Sequence, residues 1–412
     1  MMDFERAAVP YWPIRRRKLL RRNALIVISV LLVAGTALLI RAHEAALPLS
    51  QRVFDEVTST VGVRYYDRGF HGVDWPQLVA VYRPKVIAAR DETERYRLLQ
   101  QMMSKLGDSH TAVFSPTEVA GLSEDASAGA LGAAFVRIGN EHVVLRVAPH
   151  SPAARAGFRP GLIVSERPAL AGAAAYLRSY ALRDPVSGRS WQRRVRLTNP
   201  TAFDSVTQPE LDWGTAAPGI AYLKMASFPN GIEQALNWAI ADVGAQPAMI
   251  VDLRGNPGGL IDAVDAAAGI FLSPGTLVIS GAGRYPLFGR RWFRASDEAH
   301  IHYAGKLAVL VDGTSESGAE ALASALQTHK RALIVGMPTA RKVLGVEVEQ
   351  RLLDGGLLRV ATLGMRDANG QALEGRGVTP DLQVARRATD VAEGRDPQLQ
   401  AAIAALNAEH AR

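Results

Sequence analysis

A mixed α/β fold is written into three features of the 412-residue chain. Short aliphatic runs bounded by turn residues, Ala248 to Leu253 and Leu307 to Val311 above all, read as buried strands. Segments with apolar residues at helical spacing, such as Ile232 to Val243 and Leu260 to Leu272, stand between such runs. This alternation predicts a layered core around a partly parallel sheet. The third feature is capacity: 48% hydrophobic residues over this length supply cores for two or three domains.

The N-terminal stretch is set apart by charge. Residues 1–41 hold eight Arg or Lys, six of them between Arg15 and Arg22, against only Asp3 and Glu5. Almost all of the net charge of +7 therefore sits here, and the near-neutral remainder implies no nucleic-acid partner. Residues 24–40 follow without a charge, seventeen residues at the short end of the roughly 17–25 that span a bilayer. The basic cluster before them places the rest of the chain outside the cytoplasm. The expectation is a single-pass inner-membrane anchor with the body in the periplasm, and its rival is a cleaved signal peptide. Without cysteine there is no disulfide framework, thiol nucleophile or cysteine zinc site. The nine histidines are scattered and form no HExxH, so neither metal nor cofactor is expected.

Ser50 to Val63, Trp75 to Ala89 and Thr93 to Leu106 carry helical spacing and predict a small helical domain, closed by Leu106-Gly107-Asp108-Ser109-His110-Thr111. An alternating run begins at Gly129-Ala130-Leu131-Gly132-Ala133-Ala134-Phe135, and His142 to Val147 continues it as a strand. Ser151-Pro152-Ala153-Ala154-Arg155-Ala156-Gly157 has Pro near the start and Gly at the end of one short helix. Further on, Gly219 to Met225 is a strand, and Arg254-Gly255-Asn256-Pro257-Gly258-Gly259 leads into the helix from Leu260. That turn lacks the Lys-Ser/Thr of a phosphate loop and the GxGxxG spacing, which speaks against nucleotide binding. Glu347 to Leu353 and Gly356 to Leu363 form a hairpin, and Arg386 to Arg412 reads as a polar tail with one helix, Pro397 to Leu406.

Chemistry gathers after Leu307 to Val311. Asp312, Gly313 and Thr314 break that strand, Glu316 to Gln327 is helical, and Ala332 to Gly336 is the next strand. Ser315 or Ser317 is thus presented at a helix start, where backbone N–H groups lack partners and the helix dipole favours an oxyanion. Lys342, 25 residues after Ser317, returns beyond the second strand.

The pattern Ser315, Ser317, Glu320 and Lys342 resembles the catalytic region of the carboxyl-terminal processing (tail-specific) serine proteases. The resemblance extends through DLRGNPGG at 252–259 and GVTPD at 377–381, while LGDSHT at 106–111 adds a tricorn-like feature. It implies an α/β-sandwich protease core of the ClpP/crotonase-like type, with Ser317 as nucleophile and Lys342 as general base. An oxyanion hole would come from Gly258 or Gly259 with Gly318. The family's Phe-Gly before the lysine is Ala340-Arg341 here, and its glutamine is Val346. His110 with Ser109 and Glu374, placed as in the tricorn-like branch, is the alternative base set.

Residues 129–161 resemble a protease-type PDZ domain, whose carboxylate loop would be Leu131 to Phe135, with Leu131, Gly132, Ala133 and Phe135 meeting substrate. The implied partner is a protein or peptide, held by its C-terminus. The expected division is anchor 1–46, helical domain 47–127, PDZ-like domain 128–207, serine protease core 208–385 and tail 386–412. The resemblance implies a membrane-anchored serine endopeptidase acting through an acyl-enzyme. A catalytically impaired peptide-binding scaffold is the alternative.

Overall fold

The computed structural model describes residues 47–123, 131–167, 177–196, 211–285, 289–297 and 301–408. The expected span at 24–40 lies outside them, and among the described residues no helix is long and apolar enough to cross a membrane.

The three expected N-terminal helices are α1 (Leu49–Arg64), α2 (Trp75–Ile87) and α3 (Glu92–Met103). Asp74 and Asp91 cap the second and third by accepting from the amides of Gln77 and Glu94. A short strand β1 (Ala112–Phe114) and helix α4 (Pro116–Ser123) follow. Next come β2 (Ala133–Ile138), β3 (Glu141–Val147), α5 (Pro152–Arg155), β4 (Ile163–Arg167), β5 (Leu177–Arg183) and β6 (Ser190–Arg196). These strands form one antiparallel sheet in sequence order, closed over Val144, Phe158, Leu162 and Leu182.

The larger part of the chain runs β7 (Leu211–Ala217), β8 (Ile220–Met225), α6 (Ile232–Val243), β9 (Ala248–Asp252) and α7 (Ile261–Phe271). It continues with β10 (Leu277–Ala282), β11 (Arg290–Arg294), β12 (Lys306–Val311), α8 (Gly318–Thr328) and β13 (Leu333–Gly336). The hairpin β14 (Leu344–Arg351) and β15 (Leu357–Arg366), the short β16 (Leu382–Gln383), and helices α9 (Ala388–Ala392) and α10 (Pro397–Ala408) complete it. The central sheet has the order β16-β13-β12-β9-β8-β7 and is parallel except for β7 against β8. The partly parallel sheet read from the sequence is therefore present.

Alternation explains the layers. Met249 and Val251 of β9, with Leu307, Val309 and Val311 of β12, face α6, α7 and α8. Ala248, Ile250, Ala308 and Leu310 face the opposite way onto Ala402 and Leu406 of α10. Helices α7 and α8 are covered on their far side by the second sheet, through Val278, Ile279, Leu363 and Met365.

Two expectations change in three dimensions. Residues 386–412 are not a polar tail in their described part. Ala388 and Val391 pack on Val143 of the antiparallel sheet, and Ala402 and Leu406, one turn apart, seal the central sheet. The 47–127 segment does not bury its apolar face by itself either. Val53, Phe54, Val57 and Leu99 share one core with Leu344, Leu358 and Val360 of the distant hairpin.

Gly161 marks the seam between the antiparallel sheet and α9. Its φ is +87°, and a Cβ there would lie 2.3 Å from Ala392 Cβ and 2.4 Å from Ala392 Cα. Gly157, with φ +80° and nothing within 4 Å of a built Cβ, carries the conformational cost alone. Gly161→Ala is expected to lose about 2–4 kcal/mol in urea unfolding, against about 1 kcal/mol for Gly157→Ala. Equal losses in the two variants would show that the seam contributes nothing.

Candidate active site

The register of the parallel strands gathers three loops at one rim. Leu310 of β12 pairs with Asp252 of β9, and Val311 pairs with Gly336 of β13, so all three strands end together. Ligands of open α/β sheets bind at such carboxyl ends. The loops are then stitched to one another. Gly255 N–H donates to Asp312 Oδ1 (3.2 Å), Glu316 N–H to the Asn256 carbonyl (2.9 Å), and Ala340 N–H to the Ser315 carbonyl (3.0 Å).

A buried charge network fixes the glycine-rich turn. Arg254 donates from Nε to Asp252 Oδ1 (2.9 Å) and from Nη2 to Asp252 Oδ2 (2.7 Å), and Tyr222 OH adds a third bond (2.7 Å). Burial alone would raise the Asp252 carboxyl, but the Arg254 charge and these hydrogen bonds bring it down to about 2. Arg254 also reaches Asp396 (2.8 Å) and Gln398 (3.0 Å), so the turn is braced by the C-terminal segment. Asn256, fully buried, donates to the Met225 carbonyl (3.0 Å) and accepts the Gly258 N–H (2.7 Å).

Ser317 is the residue before α8, at a positive φ of 55° with ψ −110°. A non-glycine backbone held there costs roughly 1–3 kcal/mol and persists only where its surroundings enforce it. Glu320, with no exposed surface, supplies that enforcement. Its carboxylate accepts the N–H groups of Ser317 (3.2 Å), Arg341 (2.8 Å) and Lys342 (2.9 Å), and the Thr339 hydroxyl. Burial lifts this carboxyl above its ordinary value even though four donors converge on it.

Gly258 abuts the serine so closely that a Cβ would lie 2.8 Å from Ser317 Cβ and 2.7 Å from Gly318 N. Its N–H, however, is taken by Asn256, which removes Gly258 as an oxyanion donor. The amides of Gly259 and Gly318 enter no hydrogen bond among the described residues, and Gly318 N–H stands at the positive end of α8.

Both candidate bases lie at this rim. The Lys342 carbonyl accepts the Ser317 N–H (3.0 Å), but its ammonium turns to Glu316 (3.2 Å) with the side chain half exposed. That is unlike the dry pocket that keeps a lysine amine neutral. Ser109 Oγ lies 2.6 Å from His110 Nδ1. Glu374 joins the two regions by accepting the N–H of Ser109 (3.1 Å) and of Val343 (2.7 Å). Burial holds the His110 imidazole below its ordinary value, against the pull of Glu374, Glu316 and Asp108, while the Lys342 charge lowers it further. Among the described residues no hydrogen bond joins Ser317 Oγ to either base, a gap common in unliganded sites.

A cleft of about 690 Å³ opens between β2 and this rim, lined by Val136, Ile138, Pro257, Glu316, Arg341 and Lys342. Of the four residues expected to meet substrate in the antiparallel module, Leu131 and Ala133 are buried in its core. Gly132 is pressed against Ser151, where a Cβ would lie 2.2 Å from Ser151 Cβ, and Phe135 alone is exposed. Their side chains therefore serve packing, and only their backbone and Phe135 can face a ligand. Among the described residues no group of three His, Asp or Glu side chains could hold a metal ion.

Residues 219–384 match the profile of peptidase family S41, and residues 50–104 that of the tricorn protease C1 domain. A chloroplastic C-terminal processing peptidase from Tetradesmus obliquus is 28% identical over 375 residues, covering 82% of this chain and 79% of the relative. A carboxyl-terminal-processing protease of a Synechocystis species is 26% identical over 367 residues, 83% of each chain. The solved structure of the photosystem II D1 C-terminal processing protease shares the fold, with a TM-score of 0.61 at 23% identity over 82% of this chain and 94% of that one.

The Glu320 hub is open to a direct test. Glu320→Gln keeps the shape but turns an amide NH2 toward N–H donors, and is expected to cost about 2–3 kcal/mol in urea unfolding. A loss below about 0.5 kcal/mol would show that the four hydrogen bonds do not hold the rim together.

Proposed function

From the premise that residues 219–384 belong to peptidase family S41 and that the chain is a serine-type peptidase, we propose an endopeptidase using Ser317 as nucleophile and His110 as general base. It would cleave extracytoplasmic proteins while held at the membrane by residues 24–40, with the antiparallel module acting as a PDZ-like holder of the substrate C-terminus. The observation that carries the reading is the setting of Ser317: a strained residue at a helix start, beside two amides unpaired among the described residues and within a cluster that contains a partly buried histidine.

The chemistry follows from these groups. His110, neutral at pH 7, takes the Ser317 hydroxyl proton as Oγ attacks the peptide carbonyl carbon. The N–H groups of Gly259 and Gly318 receive the oxyanion, each such donor being typically worth about 3–4 kcal/mol. The imidazolium returns its proton to the leaving amine, and water repeats the sequence on the acyl-enzyme ester. Glu374 holds the Ser109-His110 turn against the loop that follows Lys342, and so keeps the base in place.

A second reading, Lys342 as base, is favoured by the bond between the Ser317 N–H and the Lys342 carbonyl, which starts that side chain from the same rim. It requires the lysine to leave Glu316 and lose its proton. Nothing in the fold or the relatives speaks for an impaired scaffold.

The deciding experiment is cleavage of an unstructured protein by the full chain, measured against pH. Ser317→Ala and His110→Ala are each expected to lower kcat/KM by a factor on the order of 10³ or more. Because burial depresses His110 below 6.5, the acid limb of wild type should lie below that pH. Lys342→Ala should remain active with its acid limb moved upward, since a cation that lowers His110 is gone. A dead Lys342→Ala beside an active His110→Ala would transfer the base to the lysine. Absence of both cleavage and fluorophosphonate labelling would end the peptidase reading.

A further inference from the structure

Beyond the cleft lined by Glu316 and Lys342, a second groove of about 430 Å³ lies between the antiparallel module and the central sheet. The two spaces share Val136, Gly255 and Arg386, so they adjoin. The module contributes the exposed Phe135 and Arg146, the central sheet contributes Lys224, and the C-terminal segment contributes Arg386.

Two cations of this groove, Lys224 and Arg386, lack hydrogen-bond partners among the described residues, whereas Arg254 is fully paired. Lys224 alternates with Leu223 and Met225, which enter the core, and so stands on the other face of β8. It is partly buried, yet it makes no hydrogen bond or ion pair among the described residues, and burial holds its ammonium below the ordinary value. Arg386 likewise has its Nε buried without a hydrogen-bond partner. The neighbouring carboxylates Asp252 and Asp396 act on these cations through space but accept no hydrogen bond from them. Asp252 is filled by Arg254 and Tyr222, and Asp396 by Arg254 and the Leu399 N–H. Asp212, opposite Lys224 in the β7–β8 register, is exposed and forms no ion pair among the described residues. Two partly desolvated cationic donors without a hydrogen-bond acceptor thus face one space and are free to bond an acceptor that enters it.

We propose that this groove is a carboxylate subsite for the peptide substrate, with Lys224 and Arg386 binding the anion and Arg146 adding charge at its mouth. A peptide lying along β2 would place its carboxylate here while the chain continues past the shared wall residues toward the rim that carries Ser317. The carboxylate can be a terminal α-carboxylate or an Asp or Glu side chain. The substrate class rests on the peptidase reading above, whereas the anion site rests on the groove itself.

The test is fluorescence anisotropy with full-length Ser317→Ala and three labelled unstructured peptides. One has a free C-terminus and no acidic residue, one is the same peptide amidated, and one is amidated with a single internal Glu. Either the first or the third is expected to bind at least tenfold tighter than the second, in line with one charge-assisted hydrogen bond, and which one does so names the source of the carboxylate. Adding Lys224→Gln or Arg386→Gln should collapse that ratio toward one, and Lys224→Arg should restore most of it. The inference is overturned if the plain amide binds as well as the acids, or if the ratio survives both glutamine substitutions. Failure of the peptidase reading looks different: no cleavage when Ser317 is intact, with the carboxylate preference in binding preserved.

Discussion

One carboxylate holds the candidate site together. Glu320 sits in the first turn of α8, without exposed surface, and accepts from donors on two separate loops. A buried carboxylate is tolerated only where hydrogen bonds repay its lost hydration, and here they come from Ser317, Thr339, Arg341 and Lys342. The same bonds that satisfy the carboxylate therefore hold Ser317 at its positive φ and draw the Lys342 loop against it. Arg341, also at positive φ (65°), is bent by the same demand. Strain in two residues is thus offset at a single point.

The glycine-rich turn beside it is held by a different balance. Asp252 and Arg254 neutralise each other inside the protein, and Arg254 spends its remaining donors on Asp396 and Gln398. A pair of this kind contributes little net stability, but breaking it leaves a lone buried charge and typically costs about 3–5 kcal/mol. Its effect is positional: the turn carrying Gly258 and Gly259 cannot move without the segment before α10. The C-terminal residues are consequently part of the site's frame.

Much of this was legible in the sequence because it is local. The strands and helices of the central sheet follow from period and turn residues, and Ser317 at a strand-to-helix turn follows from them. Asp252, Arg254 and Asn256 stand in a run that the sequence marks, although their bonds to Asp396, Gln398 and Met225 do not show there. What stayed hidden depends on distant partners. Pro397 to Leu406 has polar neighbours in sequence and becomes core only because the sheet offers Ile250 and Leu310. The strands Leu277–Ala282 and Arg290–Arg294 lack clear alternation and gain their form from pairing with each other and with β15. Gly258 and Gly259 are equivalent in the sequence, and only the fold brings the Asn256 side chain onto the Gly258 N–H.

The two base candidates, rivals in the sequence, are parts of one electrostatic arrangement in three dimensions. Glu374, Glu316 and Asp108 all pull the His110 imidazole toward protonation, and burial pulls it the other way. Lys342 acts on the side of burial. Its ammonium is bonded to Glu316, one of those three carboxylates, so the pair presents little net charge to the ring. A lysine that serves this way must keep its proton, and a lysine that takes the proton of Ser317 must have lost it. The same side chain cannot do both in one protonation state. With its side chain bonded to Glu316, Lys342 tunes the surroundings of the imidazole, which is the division of labour the proposed mechanism assigns to the two residues.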